Sequence, residues 1–352
     1  MNEILRYRLS NRLNKILLEI ERFQGAFESG HRLSPKFITN LKQTTIITSS
    51  GSSTRIEGAI LTDIEIKKFV DKGCKISKMS SRSEREVAGY VRALNYIYDN
   101  FSDLEVSEKN IRELHQILTS ELTTDQLPKK QRGSYKNVDN HVIEKKIETG
   151  EEVIWFKTTP PGPQTSLAMR ELVRDFQDIK ERDELPSIIL TASFVVHFLA
   201  IHPFRDGNGR LSRLITVWLL LRFDYSWMQF ASHEKVIEDN KENYYLSLRE
   251  TQSSFGKTEV LYDRWLEFFS NTVLKQTHIV VALLKKESPV SNLNKNELTV
   301  YSIIESNGDC KVNFILDQVE MTRAGLKTLL KRMIDAGYIK SKGLGKGTSY
   351  YI

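Results

Sequence analysis

The sequence predicts a mainly α-helical protein, and two features of its patterning support this fold class. Apolar residues recur at helical spacing along most of the 352-residue chain. Residues 135–159 have β-type content and residues 340–352 resemble a hairpin, so strands are expected at these two places. The apolar fraction of 40% and the charged fraction of 27% are ordinary for a globular protein. The length allows two or three domains and a substantial core.

The composition favours a cytoplasmic protein with no membrane partner. Cys74 and Cys310 are the only cysteines, which suggests a reducing compartment and no structural disulfide. The longest apolar run, residues 214–221, is far shorter than the ~20 residues that span a bilayer. The N-terminus lacks the apolar core of a signal peptide. The formal charge of +6 permits contact with nucleic acid without requiring it.

The N-terminal third reads as a series of helices. Residues 1–30 carry apolar residues at helical spacing, which predicts a first amphipathic helix, and Leu33-Ser34-Pro35 breaks it. Further helices are predicted over residues 81–101 and from Ser107 onward. His115 lies on the last of these. We interpret it as a structural histidine, because nothing near it in sequence offers a second ligand or a nucleophile.

The middle of the chain predicts one hairpin followed by helices. Residues 135–159 have β-type content on both sides of a glycine turn at residues 149–151. The prolines between residues 160 and 163 close this hairpin, and a helix is expected over residues 167–179. Pro186 starts a strongly apolar helix that ends at the most informative segment of the chain.

That segment, residues 202–213, is polar and separates two apolar helical runs. Gly207 and Gly209 flank Asn208 next to the second helix, so backbone N–H groups there can point into one concavity. The helix dipole favours negative charge at the same place. Although a Gly-Asn-Gly is more often a plain turn, these features together indicate a cradle for phosphate.

Four side chains of the segment suit chemistry on a phosphate ester. His202 can abstract a proton near neutral pH, and Asp206 is an oxygen ligand suited to Mg²⁺. Arg210 and Arg213 are three residues apart on the first turn of the helix and can reach one polyanion. A single histidine at a helix end is more often structural than catalytic. The combination within twelve residues is what favours an active site.

These residues resemble the signature of the Fic family, whose members mostly transfer AMP from ATP to a protein hydroxyl. The chain has no Walker-type motif, since Gly343–Thr348 lies near the C-terminus with no helix after it. The residues that match every fixed position of the Fic signature are His202, Phe204, Asp206, Gly207, Asn208, Gly209, Arg210 and Arg213.

The resemblance implies a reaction and a role for each residue. His202 would take the proton from a Ser, Thr or Tyr hydroxyl of the target protein, and that oxygen would attack the α-phosphorus of ATP. Asp206 would hold Mg²⁺ on the phosphates. Tyr244 and Tyr245, which follow the signature on a later helix, would line the nucleotide pocket. The nucleotide-binding residues implied in this way are Gly207, Asn208, Gly209, Arg210, Arg213, Tyr244 and Tyr245.

A second resemblance concerns residues 49–58, which are rich in serine and on propensity alone would be a flexible loop. Ser53-x-x-x-Glu57-Gly58 is similar to the motif of the inhibitory helix that Fic proteins carry. On a helix Ser53 and Glu57 share a face. The family pairs this glutamate with the second arginine of the signature, here Arg213. Glu57 would then keep Arg213 from the terminal phosphate of ATP.

The predicted hairpin matches the flap of Fic proteins, which pairs with an extended stretch of the target and aligns its hydroxyl. The edge of the flap would supply main-chain hydrogen bonds and little sequence specificity. Asn140, His141, Val142 and Ile143 fall where the flap would approach the nucleotide and the target.

The last residues, 296–352, resemble a winged helix, with basic residues recurring every four positions at Arg323, Lys327 and Lys331. From Val290 onward the chain has nine Lys or Arg against six Asp or Glu, a modest excess for a DNA-binding domain. DNA binding and plain protein contact therefore both remain open. The expected parts are an N-terminal helical region (1–105), a Fic core (106–275), a linker (276–295) and the winged helix (296–352).

The sequence favours a protein adenylyltransferase that is inhibited by Glu57. Removal of AMP through the same site remains an alternative, as does a nucleotide-sensing regulator that binds DNA, although the intact His202 argues against a pure sensor. UMP or GMP could replace AMP. Self-modification and homodimerisation are also left open.

Overall fold

The computed structural model describes residues 1–30, 35–145, 152–287, 293–343 and 345–352. The described chain forms two compact units, and the division between them falls after Val280. The prediction of a mainly helical protein is confirmed. The helices up to that division are α1 (Asn11–Gly30), α2 (Pro35–Ile56), α3 (Asp63–Asp71), α4 (Arg82–Asn100), α5 (Glu108–Leu118), α6 (Pro163–Glu181), α7 (Ser187–Ile201), α8 (Asn208–Arg222), α9 (His233–Glu238), α10 (Lys241–Ser254) and the greater part of α11 (Asp263–Glu287).

The first predicted helix is interrupted. Residues 1–30 form a short 3-10 turn over Asn2–Arg6 and then α1, which begins at Asn11. The hydroxyl of Ser10 accepts a hydrogen bond from the Leu13 N–H at 3.1 Å, so the serine caps a new helix. Of the predicted break at Leu33-Ser34-Pro35, the first two residues lie outside the described residues, and Pro35 begins α2.

The serine-rich segment is helical rather than a loop. It forms the C-terminal half of α2, where Ser50, Ser52, Ser53 and Thr54 are fully buried. Small buried side chains let α2 pack against α4 and α9. The hydroxyl of Thr54 donates to the Ser50 carbonyl at 2.9 Å, so burial leaves this group bonded. Propensity fails here because the helix is stabilised by tertiary packing and by hydrogen bonds to distant residues, such as that of the Ser52 hydroxyl to Glu238.

Two apolar helices, α7 and α8, form the centre of the first unit. Nearly every residue of both is buried, which explains why they are apolar on all sides rather than on one stripe. Among the helices packed against them are α4 and α5 on α8, and α6 and α10 on α7. The polar segment that joins them is therefore held at the end of a rigid pair.

The predicted hairpin is present but shorter than the β-type run. Its strands are β1 (Val142–Lys145) and β2 (Glu152–Phe156), which pair antiparallel with Ile143 opposite Ile154. The predicted glycine turn at residues 149–151 lies outside the described residues. Pro163 does not belong to the hairpin: it is the first residue of α6, where a missing N–H costs no helical hydrogen bond.

The second unit has its own core. It contains α12 (Lys295–Asn307), β3 (Cys310–Lys311), α13 (Val312–Leu316), α14 (Arg323–Asp335), β4 (Lys340–Lys342) and β5 (Ser349–Tyr351). The strands form an antiparallel sheet in the order β3-β5-β4. Val300, Leu326 and Met333 lie in the buried cluster between helices and sheet. Strand β3 was not predicted, whereas the other elements follow the expected order. The winged-helix assignment and the four domain bounds stay predictions.

Within the described ranges, no helix combines the length and the apolar character needed to cross a bilayer.

Candidate active site

The loop after α7 is folded around the side chain of Asn208. Its Oδ1 accepts from the Phe204 N–H at 2.9 Å, and its Nδ2 donates to the Phe204 carbonyl at 2.6 Å. Gly207 precedes α8 with a φ of 82°, a conformation that glycine adopts without strain. Helix α8 begins at Asn208, so Gly209 lies within its first turn and not before the helix as predicted. The Asn208 side chain is thus engaged within the loop.

His115 supports this loop from the neighbouring helix α5. Its Nδ1 accepts from the Gly133 N–H at 2.9 Å, so the proton of the neutral ring lies on Nε2, which donates to the Asp206 carbonyl at 2.9 Å. The ring also stacks on Phe204, with centroids 3.8 Å apart. Burial lowers the pKa of His115 to about 4, which keeps the ring neutral. This geometry agrees with the structural interpretation of His115.

His202 ends α7 and turns its ring toward a cleft of about 1100 Å³. Its Nδ1 lies 3.2 Å from the Leu199 carbonyl, which can only accept, so Nδ1 carries the proton and Nε2 is left as a free base. Burial lowers the pKa of His202, and together with a smaller contribution from the nearby Lys136 ammonium it brings that pKa to about 4. The ring is therefore unprotonated at neutral pH.

Glu57 and Arg213 form an ion pair, with Oε1 and Nη2 2.8 Å apart. Arg213 is only 2% exposed, and its Nε also donates to the Ser53 hydroxyl at 2.9 Å. Burial would raise the pKa of Glu57, but the charges of Arg213 and Arg210 hold that pKa below its usual value. The predicted contact of Glu57 with Arg213 is therefore present in the structure, and the Ser53 hydroxyl is a further partner of Arg213.

The Glu57 carboxylate also rests on the start of α8. A Cβ added at Gly209 would lie 2.3 Å from Glu57 Oε1. The carboxylate thus occupies the place at a helix N-terminus where a phosphate is favoured. The residues of the proposed anion cradle are brought together, and an acidic side chain of the same protein lies in it.

Asp206 lies among charged side chains from α4 and α8. Its Oδ2 accepts from Arg82 Nη2 at 2.6 Å, and its Oδ1 lies 3.2 Å from Arg210 Nη2. Glu86 completes the group, with Oε1 2.9 Å from Arg82 Nε and 3.2 Å from Arg210 Nη1. Although burial would raise the pKa of Asp206, Arg210 and Arg82 hold it below its usual value, so the group is ionised.

The donor set at Asp206 fits Mg²⁺ that arrives with a nucleotide. In the described part of the chain no group of three or more His, Cys, Asp or Glu is placed to hold a metal. Mg²⁺, however, commonly uses one or two carboxylates and completes its shell with water and substrate phosphates. A single ionised carboxylate facing the cleft meets that requirement.

Both arginines of the signature have buried guanidinium nitrogens that lack an acceptor. Among the described residues, Nε and Nη1 of Arg210 and Nη1 of Arg213 make no hydrogen bond. Arg210 Nη1 is near Glu86, but the contact lacks hydrogen-bond alignment. Since buried donors are normally satisfied, these nitrogens indicate a site that accepts an anion.

The tyrosine pair lies on α10 at the cleft. Tyr244 is buried and packs on Trp265 and Phe268, whereas Tyr245 is partly exposed at the rim, with its hydroxyl 3.4 Å from the Ile56 carbonyl. Both line the cleft together with Gly207, Asn208, Gly209 and Arg210.

The flap residues are placed differently from one another. Asn140 does not face the cleft: its Nδ2 donates to the carbonyls of His202 at 3.0 Å and Phe204 at 2.6 Å. Its placement thus differs from the predicted approach to the nucleotide, because the amide braces the loop. His141 has a buried Nδ1 with no partner among the described residues. Val142 and Ile143 begin β1, and their side chains lie outside what the structure describes.

Sequence reasoning missed several residues that line the cleft. Arg82 and Glu86 are four residues apart on α4, a spacing typical of a surface ion pair, and no local signal showed that they face Asp206. Lys136, which does not itself line the cleft, was also missed, because its partners lie up to 65 residues away in sequence. Other lining residues that were not predicted include Trp155, Lys241 and Arg249.

Comparison with known proteins shows which proteins this chain is similar to. Residues 105–220 match the model of the Fic/DOC family. The chain is 28% identical over 178 residues to Protein adenylyltransferase Fic of Drosophila willistoni, covering 49% of this chain and 31% of that protein. The same-named protein of Drosophila grimshawi is 27% identical, with 49% and 32% covered. The chain thus spans about a third of the length of these curated relatives.

Solved structures show the same fold at low identity. A Fic family protein from Desulfovibrio desulfuricans G20 aligns over 98% of this chain and 97% of its own, with a TM-score of 0.60 and 18% identity. Fic-1 (residues 134–508) from C. elegans aligns over 78% and 74%, with a TM-score of 0.61 and 18% identity. Residues 105–220 of this chain therefore form a Fic/DOC family region, and the solved structures show the same fold around it.

Proposed function

We propose that this protein transfers AMP from ATP to a Ser, Thr or Tyr hydroxyl of a protein, and that Glu57 holds the site inactive. The observation that carries the proposal is the position of the Glu57 carboxylate, 2.8 Å from Arg213 and against Gly209, in the cleft that His202 lines. An acidic side chain occupies the anion cradle while the base, the carboxylate and the arginines remain in place around it.

The chemistry follows from the side chains present. Nε2 of His202 takes the proton of the target hydroxyl, whose oxygen forms a bond to the α-phosphorus as the bond to pyrophosphate breaks. The amides at the start of α8 and the unpaired nitrogens of Arg210 stabilise charge on the phosphates. Asp206 would hold Mg²⁺, which supplies positive charge on those phosphates when bound. Tyr244 and Tyr245 form one side of the nucleotide cleft.

Glu57 inhibits by occupying the Arg213 donors and the space over Gly209 that the phosphates of ATP need. An Arg213 guanidinium bonded to Glu57 and Ser53 has fewer donors for a terminal phosphate. The carboxylate would also repel a triphosphate placed over Gly209. ATP therefore binds productively only after Glu57 has moved away from α8.

Labelling with α-³²P-ATP and Mg²⁺ tests the proposal. Glu57→Gly should incorporate at least about tenfold more label into protein than the wild type, a difference of ~1.4 kcal/mol. Adding His202→Ala should reduce this incorporation by about 10²–10⁴-fold, the usual contribution of a general base. γ-³²P-ATP should give no label in any variant, because the γ-phosphate leaves with pyrophosphate.

Two outcomes would overturn the proposal. Label from γ-³²P-ATP would mean phosphate transfer, and equal label with and without His202 would remove the base from the mechanism. Release of AMP from an adenylylated protein by the wild type, lost in Glu57→Gly, would instead support AMP removal through the same residues. Competition by UTP or GTP at equal concentration decides the nucleotide.

A second function is proposed for the C-terminal unit. Arg323, Lys327 and Lys331 are all exposed along α14, four residues apart, and such a row of cations fits a nucleic-acid backbone. We expect the full chain to bind duplex DNA in a salt-dependent manner. Neutralising the three residues to Gln should reduce the slope of log affinity against log salt by up to about three. Unchanged affinity would leave protein contact as the role of this unit.

A further inference from the structure

Lys136 is a buried lysine between the flap and the signature loop, and it is 2% exposed. Its ammonium donates to Asn140 Oδ1 at 2.6 Å, to the Thr158 hydroxyl at 2.8 Å and to the Ile201 carbonyl at 3.1 Å. All three protons of the ammonium therefore have acceptors. A neutral amine has only two N–H groups and could not make the same three donations.

The three acceptors belong to three different segments. Asn140 lies before β1, Thr158 lies after β2, and Ile201 is the last residue of α7. Lys136 thus joins both ends of the flap to the residue that precedes His202. The Lys136 ammonium therefore holds the flap and the start of the signature loop together, and these two parts of the site must meet for AMP transfer.

The backbone and the side chain of Asn140 extend the connection past His202. The Lys136 N–H donates to the Pro203 carbonyl at 2.8 Å, and Asn140 Nδ2 donates to the His202 and Phe204 carbonyls. The loop is therefore bonded on both sides of the histidine. A shift of the flap would be passed directly to the histidine backbone.

The charge of Lys136 also acts on the histidine ring. Burial lowers the pKa of Lys136 to about 8, so the amine is still mainly charged at neutral pH. The cation disfavours a second positive charge on the His202 ring, whereas the facing carboxylates of Glu57 and Asp206 favour it. Burial and Lys136 together outweigh those carboxylates, and His202 stays a free base.

We propose that Lys136 is a positioning residue for AMP transfer: its ammonium fixes the flap and the His202 backbone in one arrangement and keeps the His202 ring unprotonated. This inference rests on the proposed function. Lys136 does not line the cleft, so its effect on ATP binding is indirect.

The test uses the Glu57→Gly protein as the parent, with Lys136→Met and Lys136→Arg added separately. Methionine keeps much of the length but loses the charge and the donors, whereas arginine keeps both. AMP transfer gives kcat and the KM for ATP. Histidine ring NMR, with the His202→Ala variant to assign the signal, follows the titration of His202.

Lys136→Met should lower kcat at least about tenfold while the KM for ATP changes less than about threefold, because misplacement of a base affects the chemical step. Its His202 ring should become protonated at a higher pH than in the parent. Lys136→Arg should retain the parent titration and recover most of kcat. If Lys136 only filled space, its replacement would leave the His202 titration unchanged and would not lower kcat more than it changes KM.

Parent-like kcat and an unchanged His202 titration in Lys136→Met would overturn the inference. If thermal melting shows that this variant is not folded, Lys136→Gln takes its place, since it removes the charge and keeps a donor. If the Glu57→Gly parent transfers no AMP, the proposed function has failed. The His202 titration then decides the action of the Lys136 charge by itself.

Discussion

His202 has a left-handed backbone, with φ of 52° and ψ of 58°, which ends α7 and aims the ring at the cleft. Such a conformation costs a residue with a Cβ about 1–2 kcal/mol. The hydrogen bonds of Asn140 and Asn208 to the loop backbone offset that cost. The reactive geometry is therefore maintained by residues that do not themselves face the substrate.

The signature predicted His202, Asp206 and the two arginines, because the spacing of these residues along the chain carries the information. It did not predict His115 or Lys136. Their partners are 91 and 65 residues away, and only the fold brings these groups together. Asn208 was predicted to bind nucleotide, which stays a prediction, and the sequence did not show that its side chain also holds the loop.

The low pKa of His202 predicts an unusual pH profile. Because protonation of this base occurs near 4, kcat/KM for AMP transfer by Glu57→Gly should stay level as the pH falls from about 7 to about 5. It should decline only as the pH approaches 4, whereas an ordinary histidine would lose half its free base near 6.5. Tryptophan fluorescence at each pH confirms that the protein is folded. An acid limb centred near 6.5 would contradict a His202 that is neutral at neutral pH.

Most helices were predicted from periodicity, but α3, α9 and the serine-rich half of α2 were not. The capping boxes that begin α3 and α4, at Thr62 with Glu65 and at Ser81 with Glu84, are local in sequence. The serine-rich half of α2 has no such local support. Its Ser49 hydroxyl bonds Ser232 at 2.9 Å, a contact from a distant part of the chain. The similarity of residues 53–58 to the inhibitory motif predicted a helix here, whereas residue propensity predicted a loop.

The crossing of α4 and α5 depends on Gly89. A Cβ at this position would lie 2.0 Å from the Leu118 carbonyl oxygen, which is backbone and cannot turn away. Gly89→Ala should therefore lower the free energy of unfolding by about 1–3 kcal/mol, as overpacking does. Gly25→Ala is the matched control, because that exposed position in α1 has nothing within 4 Å of the new Cβ.

Gly25→Ala should raise the free energy of unfolding by about 0.5–1 kcal/mol through helix propensity. Urea unfolding followed by circular dichroism measures both variants. Equal stability of Gly89→Ala and the wild type would show that α4 and α5 can move apart at no cost, contrary to the close crossing in the structure.

At the scale of the molecule, every residue of the proposed site precedes Val280, in the first compact unit. The second unit has a separate core and carries the exposed cations of α14. The sequence predicted that this unit contains helices and a terminal hairpin. Which partner it contacts depends on a charge pattern that is too modest to decide the matter.

The separation of the units predicts independent activities. Arg323→Gln, Lys327→Gln and Lys331→Gln together, in the Glu57→Gly protein, should leave the initial rate of AMP transfer within about twofold, because these exposed residues belong to a unit with its own core. The same protein with its α14 cations intact is the control. A large loss of transfer would show that α14 contributes to the first unit's chemistry.

The measurement that tests the central claim most directly is a double-mutant cycle on Glu57 and Arg213, with α-³²P incorporation as the readout. The wild type, Glu57→Gly, Arg213→Ala and the double variant are compared after their melting curves confirm folding. Inhibition through Arg213 predicts that only Glu57→Gly is strongly labelled, at least about tenfold above the wild type, and that the double variant stays near the wild-type level. Equal labelling of Glu57→Gly and the double variant would contradict the account, because Glu57 would then act without its arginine.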